Sequence, residues 1–175
     1  LALIVWPFIY LFPLTSGSIA LGNDFELLYF TYKKYIFDFF IDGFIPYWSP
    51  AESSGYTLIF NPFAQFFYIP SWLFLSFHKI LLLDFTRYNF LIYTIFGISI
   101  YNVGQYYWLR RLNIDPINAL IACLITTVGL KITEILRFPN AIHTFCWFSW
   151  MLYGITISKT EKKNKKSFFI IFFSS

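Results

Sequence analysis

The sequence predicts an all-α polytopic membrane protein, and its composition and its long apolar runs lead to that prediction. Of the 175 residues, 58% are hydrophobic and 13% are charged, whereas a water-soluble domain carries roughly a quarter charged residues. The mean hydropathy is +0.60. Several apolar runs reach the length of about 20 residues that a helix needs to cross a bilayer. The chain begins at Leu1 and stops inside a new apolar run, so we expect it to be the N-terminal part of one longer transmembrane domain.

Four predicted spans and the start of a fifth follow from these runs. The first span contains Pro7 and Pro13, which membrane helices tolerate as kinks. A cleaved signal peptide is the alternative for this segment, and the prolines and the lack of a visible basic region argue against it. The spans cover about residues 1–21, 89–109, 117–136 and 141–157, and the next begins at 168.

Residues 24–42 predict an amphipathic helix that lies along the membrane surface. Polar residues recur at spacings of 7, 3, 4 and 4 on one side, and bulky apolar residues line the other. These polar residues are Asp24, Thr31, Lys34, Asp38 and Asp42. Gly43 then favours the end of the helix.

The stretch from 43 to 70 predicts a folded but irregular segment. Prolines remove backbone donors and fix φ, so neither a long helix nor a central strand can run through it. The prolines are Pro46, Pro50, Pro62 and Pro70. Trp48 and many Phe and Tyr residues make the stretch too apolar for an ordinary solvated loop, which favours a position at a membrane surface.

Basic residues predict which side of the membrane each segment faces. If residues 62–83 do not cross, then Arg110, Arg111 and the lysines between 159 and 166 share the side of the N-terminus. The positive-inside rule makes that side the cytoplasm. Residues from about 22 to 86 then form a large external loop.

Several short motifs carry a resemblance to a known family. They are Gly22-Asn23-Asp24, Gly43-Phe44-Ile45-Pro46-Tyr47-Trp48-Ser49-Pro50, Gly55, Asn61-Pro62, Tyr68-Ile69-Pro70, and Arg137 to His143 followed by Trp147. From Gly22 to about Gly154 the chain resembles the YfhO-like family of bacterial membrane proteins, within the C-type glycosyltransferase superfamily (the GT-C fold). It departs from that pattern at Ser49 and Thr57, where the family usually has Asn and Pro.

The resemblance implies a membrane glycosyltransferase that moves a sugar from a polyprenyl-phosphate donor to a glycan, lipid or protein acceptor of the cell envelope. The implied location is the external face of a bacterial cytoplasmic membrane, in a multi-pass protein whose N-terminus is cytoplasmic. By its position in the motif, Asp24 is the catalytic base, and Glu26 and Glu52 are weaker candidates. An inverting transfer needs a carboxylate that accepts the proton of the acceptor hydroxyl.

The leaving lipid phosphate needs cationic or hydrogen-bonding partners, and four candidates are predicted on the same side of the membrane. These phosphate-binding candidates are Lys79, Arg87, Arg137 and His143. The sequence indicates no metal site and leaves the cofactor open. Membrane lipids and the lipid-linked donor are the expected partners, and nucleic acid is not.

Simpler roles stay open for the same residues and for the whole chain. Asp24 can be a helix N-cap, Arg137 can join an ion network with Glu134, and Arg87 can anchor the end of a span. A transporter or flippase of lipid-linked intermediates is one alternative function, although the apolar runs show no clear ionisable residue at mid-membrane. A non-catalytic membrane scaffold is the other alternative.

Overall fold

The computed structural model describes residues 1–50 and 55–160, which form mainly helices and one short hairpin. The chain separates into two compact units. Among the described residues, we call those of 20–93 the inserted unit and those of 1–19 and 94–160 the helical unit. The elements are α1 (Ala2–Tyr10), α2 (Phe12–Thr15), a π-helix (Phe25–Phe30), α3 (Thr31–Ile41), β1 (Trp48–Ser49), β2 (Tyr56–Thr57), a 3₁₀ turn (Leu58–Phe60), α4 (Ile69–Ile80), α5 (Arg87–Arg111), α6 (Pro116–Val128), α7 (Leu130–Ile135), α8 (Pro139–Phe145) and α9 (Phe148–Thr160).

These helices overturn the predicted membrane fold. Among residues 1–50 and 55–160, none of the helices is both long enough and apolar enough to cross a membrane. The run 1–21 divides into α1 and α2, the run 117–136 breaks at Gly129, and the run 141–157 breaks between α8 and α9. The prediction of an all-α, GT-C-like polytopic membrane protein with interfacial helices in an external loop is therefore wrong.

The predicted span 89–109 fails for a different reason, because α5 is long enough with 25 residues. Its interior carries the polar side chains of Asn102 and Gln105 and several tyrosines. Tyr and Trp have polar groups as well as apolar rings, so a composition that counts them as hydrophobic overstates how apolar a helix is. The run that starts at 168 and the lysines at 162–166 lie outside the described residues.

In the helical unit, α5 supplies hydrogen bonds that α1 cannot make for itself. Pro7 lacks the N–H that would bond the carbonyl of Leu3 in an unbroken helix. The side-chain amide of Asn102 approaches that carbonyl at 3.5 Å, and the Ser99 hydroxyl donates to the carbonyl of Ile4 at 2.8 Å. The buried side chain of Asn102 thus offers the Leu3 carbonyl a donor in place of the N–H that Pro7 lacks.

The same polar side of α5 contacts α6. The hydroxyl of Thr127 lies 3.0 Å from Oδ1 of Asn102 and 3.0 Å from the carbonyl oxygen of Cys123. One turn further along α5, Nε2 of Gln105 donates to the Thr126 hydroxyl at 3.1 Å. Buried polar groups need partners, and here those partners join two helices.

Two glycines of α5 permit close approach of the following helices. A Cβ at Gly97 would lie 2.8 Å from Cγ2 of Ile142, which belongs to α8. A Cβ at Gly104 would lie 2.5 Å from Oγ of Ser149 and 2.7 Å from the ring of Trp150, both in α9. These two polar side chains then donate hydrogen bonds to backbone carbonyls of α5, at 2.9 and 3.0 Å.

The inserted unit is built around a helical run from residue 25 to residue 41. The run begins as a π-helix, whose turn is wider than that of an α-helix, and continues as α3. The residues that its apolar side buries include Phe25, Tyr29, Ile36 and Phe37. On the solvated side Lys34 and Asp38 form an ion pair at 2.5 Å. The amphipathic pattern of residues 24–42 therefore corresponds to a continuous helical run, packed against protein on its apolar side.

The aromatic stretch after this run forms an antiparallel hairpin. Trp48 pairs with Thr57, and Ser49 pairs with Tyr56. Gly55 precedes β2 with φ of +102°, a conformation that L side chains rarely adopt. A Cβ at Gly55 would lie 2.5 Å from the indole ring of Trp48, so the ring covers the glycine directly.

α4 is attached to the end of α3. Nζ of Lys79 donates to the carbonyl of Phe40 at 2.6 Å and lies 4.6 Å from the centroid of the same residue's ring. The ring of Trp72 packs edge-on against Phe40, with centroids 5.4 Å apart. The last turn of α3 thus gains a cationic hydrogen-bond donor, which is favourable at a helix C-terminus.

Candidate functional site

Two of the predicted site residues meet in the inserted unit. Glu26 lies in the first turn of the π-helix, and Arg87 is the first residue of α5. Although 61 positions separate them in sequence, the guanidinium of Arg87 forms an ion pair with the carboxylate of Glu26. The side chain of Arg87 is 66% exposed and that of Glu26 is 32% exposed. An exposed pair of this kind contributes only about 0–1 kcal/mol to stability, so another anion can replace the carboxylate at little cost.

An aromatic surface supports this pair. The guanidinium carbon of Arg87 lies 5.9 Å from the centroid of the Phe30 ring, within the range of a cation–π contact. Phe30 in turn stacks on Phe85, with centroids 5.6 Å apart and the rings 8° from parallel. The hydroxyl of Thr31 donates to the backbone carbonyl of Glu26 at 3.1 Å. These contacts limit the positions that the Arg87 guanidinium can take.

Asp24 immediately precedes the π-helix. The carbonyl of Asn23, not the side chain of Asp24, accepts hydrogen bonds from the backbone N–H groups of Glu26 and Leu27, at 3.1 and 2.8 Å. Asn23 has a positive φ of 53°, which turns its carbonyl toward the helix. The Asp24 side chain makes no capping hydrogen bond, so the N-cap role considered from sequence does not hold for it. Its carboxylate is half-buried, two residues before Glu26.

The other predicted residues occupy different environments. Lys79 bonds the carbonyl of Phe40 at the end of α3, as described above. In the helical unit, the exposed Arg137 lies over the ring of Phe138 at 4.7 Å, and His143 is 1% exposed within α8. Glu52 lies outside the described residues. Of the predicted candidates, the structure therefore pairs Glu26 with Arg87 and buries His143.

Sequence reasoning missed Lys33, the lysine next to Lys34. It is 2% exposed, and its Nζ donates to the carbonyl of Ala64 and to the hydroxyl of Ser71, both at 2.7 Å. Burial lowers the pKa of Lys33 from 10.5 to about 7, because a buried ammonium loses its hydration. One signal was available, since Lys33 follows the buried Tyr29 by four residues and therefore falls on the apolar side of the helical run.

No group of three or more His, Cys, Asp or Glu side chains suited to a metal ion occurs within residues 1–50 and 55–160. Comparison of the chain with known protein families, with curated proteins and with solved structures finds no match. The resemblance to the YfhO-like family therefore has only the short motifs quoted above behind it. The site must be interpreted from its own geometry, namely the Glu26–Arg87 pair on aromatic rings, with Asp24 two residues before Glu26 in the chain.

Proposed function

We propose that the protein transfers a sugar from a polyprenyl-phosphate donor to a hydroxyl acceptor of the cell envelope, and that Asp24, Glu26 and Arg87 carry the reaction. The observation that supports this proposal is the Glu26–Arg87 ion pair, which lies two residues along the chain from the half-buried Asp24. A sugar transfer needs one carboxylate for the acceptor and one cation for the leaving phosphate. The inserted unit has both kinds of group. The carboxylates of Asp24 and Glu26 lie at the start of the π-helix, and the guanidinium of Arg87 lies at the start of α5.

Each group has a definite part in the proposed reaction. The carboxylate of Asp24 accepts the proton of the acceptor hydroxyl while the acceptor oxygen forms a bond to the anomeric carbon. The bond between that carbon and the phosphate oxygen breaks, and its electron pair leaves with the lipid phosphate. Arg87 binds this phosphate through its guanidinium, which presents two parallel N–H groups to such an anion.

Glu26 acts as a resting partner of Arg87 in this scheme. It holds the guanidinium over Phe30 before the donor arrives, and the phosphate then displaces its carboxylate. Exposed ion pairs contribute little to stability, so exchanging the Glu26 carboxylate for the phosphate costs little free energy. Because the donor carries a polyprenyl tail, the reaction takes place at a membrane surface.

The first test measures phosphate binding, with farnesyl phosphate in detergent as the probe. Replacing Arg87 by Gln removes a charge-assisted hydrogen bond of about 1.5–3 kcal/mol, which corresponds to binding about 10- to 100-fold weaker. Replacing Glu26 by Gln removes the competing carboxylate, so binding becomes tighter. Arg110→Gln is the matched control, because Arg110 is also exposed and, in the part of the chain that the structure describes, its side chain bonds a backbone carbonyl, that of Ile114, and no carboxylate.

The second test measures transfer from a panel of farnesyl-phosphate sugars to envelope glycans and lipids. Asp24→Asn keeps the size of the side chain and leaves farnesyl phosphate binding unchanged, and it lowers transfer by about 10² to 10⁴ because the general base is lost. Wild-type transfer by Asp24→Asn would exclude Asp24 as the base. Equal binding by Arg87→Gln and Arg110→Gln would exclude Arg87 as the phosphate site.

A further inference from the structure

The environment of Lys33 matches a neutral amine better than an ammonium ion. A neutral amine has two N–H donors, whereas an ammonium has three and no lone pair. Within residues 1–50 and 55–160, Nζ of Lys33 has two acceptors, the carbonyl of Ala64 and the hydroxyl of Ser71. Both acceptors are uncharged. Both N–H groups of the neutral amine therefore have an acceptor, and a third proton would have none among the described residues.

Among the residues that the structure describes, no carboxylate bonds to Lys33. Asp24 and Asp42 are each nine residues away along the helical run, which is about 13 Å of rise. The other titratable groups nearby have their own partners: Glu26 pairs with Arg87, Lys34 pairs with Asp38, Lys79 bonds Phe40, His78 bonds the carbonyl of Phe74, and Tyr56 accepts from Asn61. Burial is accordingly the cause of the lowered pKa of Lys33.

We infer that Lys33 forms a pH-sensitive contact, which holds residues 64–71 against α3 while the amine is neutral and releases them when it is protonated. Ala64 and Ser71 follow Lys33 by 31 and 38 residues in sequence. Loss of their hydrogen bonds to Lys33 therefore frees the turn before α4 and the start of α4 from α3. A buried ammonium without a carboxylate is strongly unfavourable. When residues 64–71 move away from α3, water reaches the ammonium. This open state costs less free energy than keeping the ammonium buried.

The direction of the pH effect follows from proton linkage. The folded protein binds the Lys33 proton with a pKa of about 7, and the unfolded chain binds it with a pKa of 10.5. Between these values the unfolded chain holds one more proton, so stability rises with pH over this window. Each pH unit changes the folding equilibrium about tenfold through this group, and the contribution is constant below about pH 7.

The test uses the whole chain and combines a direct titration with an opening measurement. Nitrogen NMR of the Lys33 side chain is expected to give a midpoint near pH 7. Amide exchange in residues 64–71, corrected for the intrinsic pH dependence, is expected to accelerate as pH falls from 9 to 7 and to level off below pH 7. Lys33→Met has no ionisable group and loses this acceleration, whereas Lys34→Met, the adjacent exposed lysine, retains it.

Two results would overturn the inference. One is a Lys33 midpoint near 10, which would mean that the amine stays charged in the folded protein. The other is the same pH-dependent opening in Lys33→Met as in the wild type. If Lys33→Met does not fold, the wild-type midpoint and the exchange of Lys34→Met decide the question on their own.

Discussion

Replacing Gly104 by Ala should destabilise the helical unit, although the same change stabilises most helices. In an exposed helix interior, Gly→Ala adds about 1 kcal/mol of stability. At Gly104 the new Cβ would lie 2.5 Å from Oγ of Ser149 and 2.7 Å from two atoms of the Trp150 ring. Real Cβ atoms do not approach heavy atoms so closely, so α9 must move away from α5.

The size of the effect can be estimated from these contacts. Overpacking of a well-packed helix contact costs about 1–3 kcal/mol. Moving Ser149 and Trp150 also weakens their hydrogen bonds to carbonyls of α5, each worth about 1 kcal/mol. After the helix-propensity gain of about 1 kcal/mol is subtracted, a net loss of about 2 kcal/mol remains, or roughly 4–8 °C in Tm for a chain of this size.

Urea unfolding followed by tryptophan fluorescence measures this change, because Trp150 itself reports on the contact. Gly22→Ala is the matched control, since no atom lies within 4 Å of a Cβ at Gly22. It should leave the unfolding midpoint nearly unchanged. A Gly104→Ala variant that is as stable as the wild type, or more stable, would refute the close approach of α9 to α5.

Two further substitutions test other contacts. Gly55→Ala should destabilise the hairpin by about 2 kcal/mol in thermal unfolding, because alanine disfavours φ of +102° and its Cβ meets the ring of Trp48; an unchanged Tm would contradict the described hairpin. Thr127→Val should cost about 1–3 kcal/mol in urea unfolding, because it deprives buried Asn102 of a hydrogen-bond donor; a loss below about 0.5 kcal/mol would show that this hydrogen bond is unimportant.

The sequence predicts the helical run of the inserted unit, but it does not show what the apolar side of that run packs against. The spacing of Asp24, Thr31, Lys34 and Asp38 predicts a helix with one apolar side, and the structure has a helical run from 25 to 41. The sequence interpretation turned that side toward a membrane, whereas it packs on protein. The π-turn at its start has no sequence signal, because any residue types that form an α-helix can also form one wide turn.

The predicted spans failed because length and apolar content do not show where helices end. A run of 20 apolar residues can form one long helix or two short ones, and tertiary packing decides between them. The break at Gly129 and the break after α8 separate runs that looked continuous in sequence. The sequence predicts that Pro7 kinks a membrane-spanning helix. In the structure Pro7 instead lies inside α1, which has nine residues.

Contacts between residues that are far apart in the sequence also could not be predicted. Arg87 was expected on the same side as Glu26, but a direct contact across 61 residues depends on how the chain folds back. Gly97 and Gly104 are seven residues apart, which is not the spacing of a GxxxG motif, so the sequence gives no signal for them. Their importance depends on what packs against them, and only the structure identifies those partners as residues of α8 and α9.

The glycine contacts of α5 also fix the length of the turn between α8 and α9. Gly97 meets Ile142, and seven residues later on both sides Gly104 meets Ser149. Seven residues correspond to about two turns and 10.5 Å of helix rise. The short turn at residues 146 and 147 thus leaves Ile142 and Ser149 as far apart in sequence as Gly97 and Gly104. One inserted residue there would rotate α9 by about 100° and turn Ser149 and Trp150 away from α5. Insertions in related chains should therefore fall in surface turns such as residues 112–115, and not between α8 and α9.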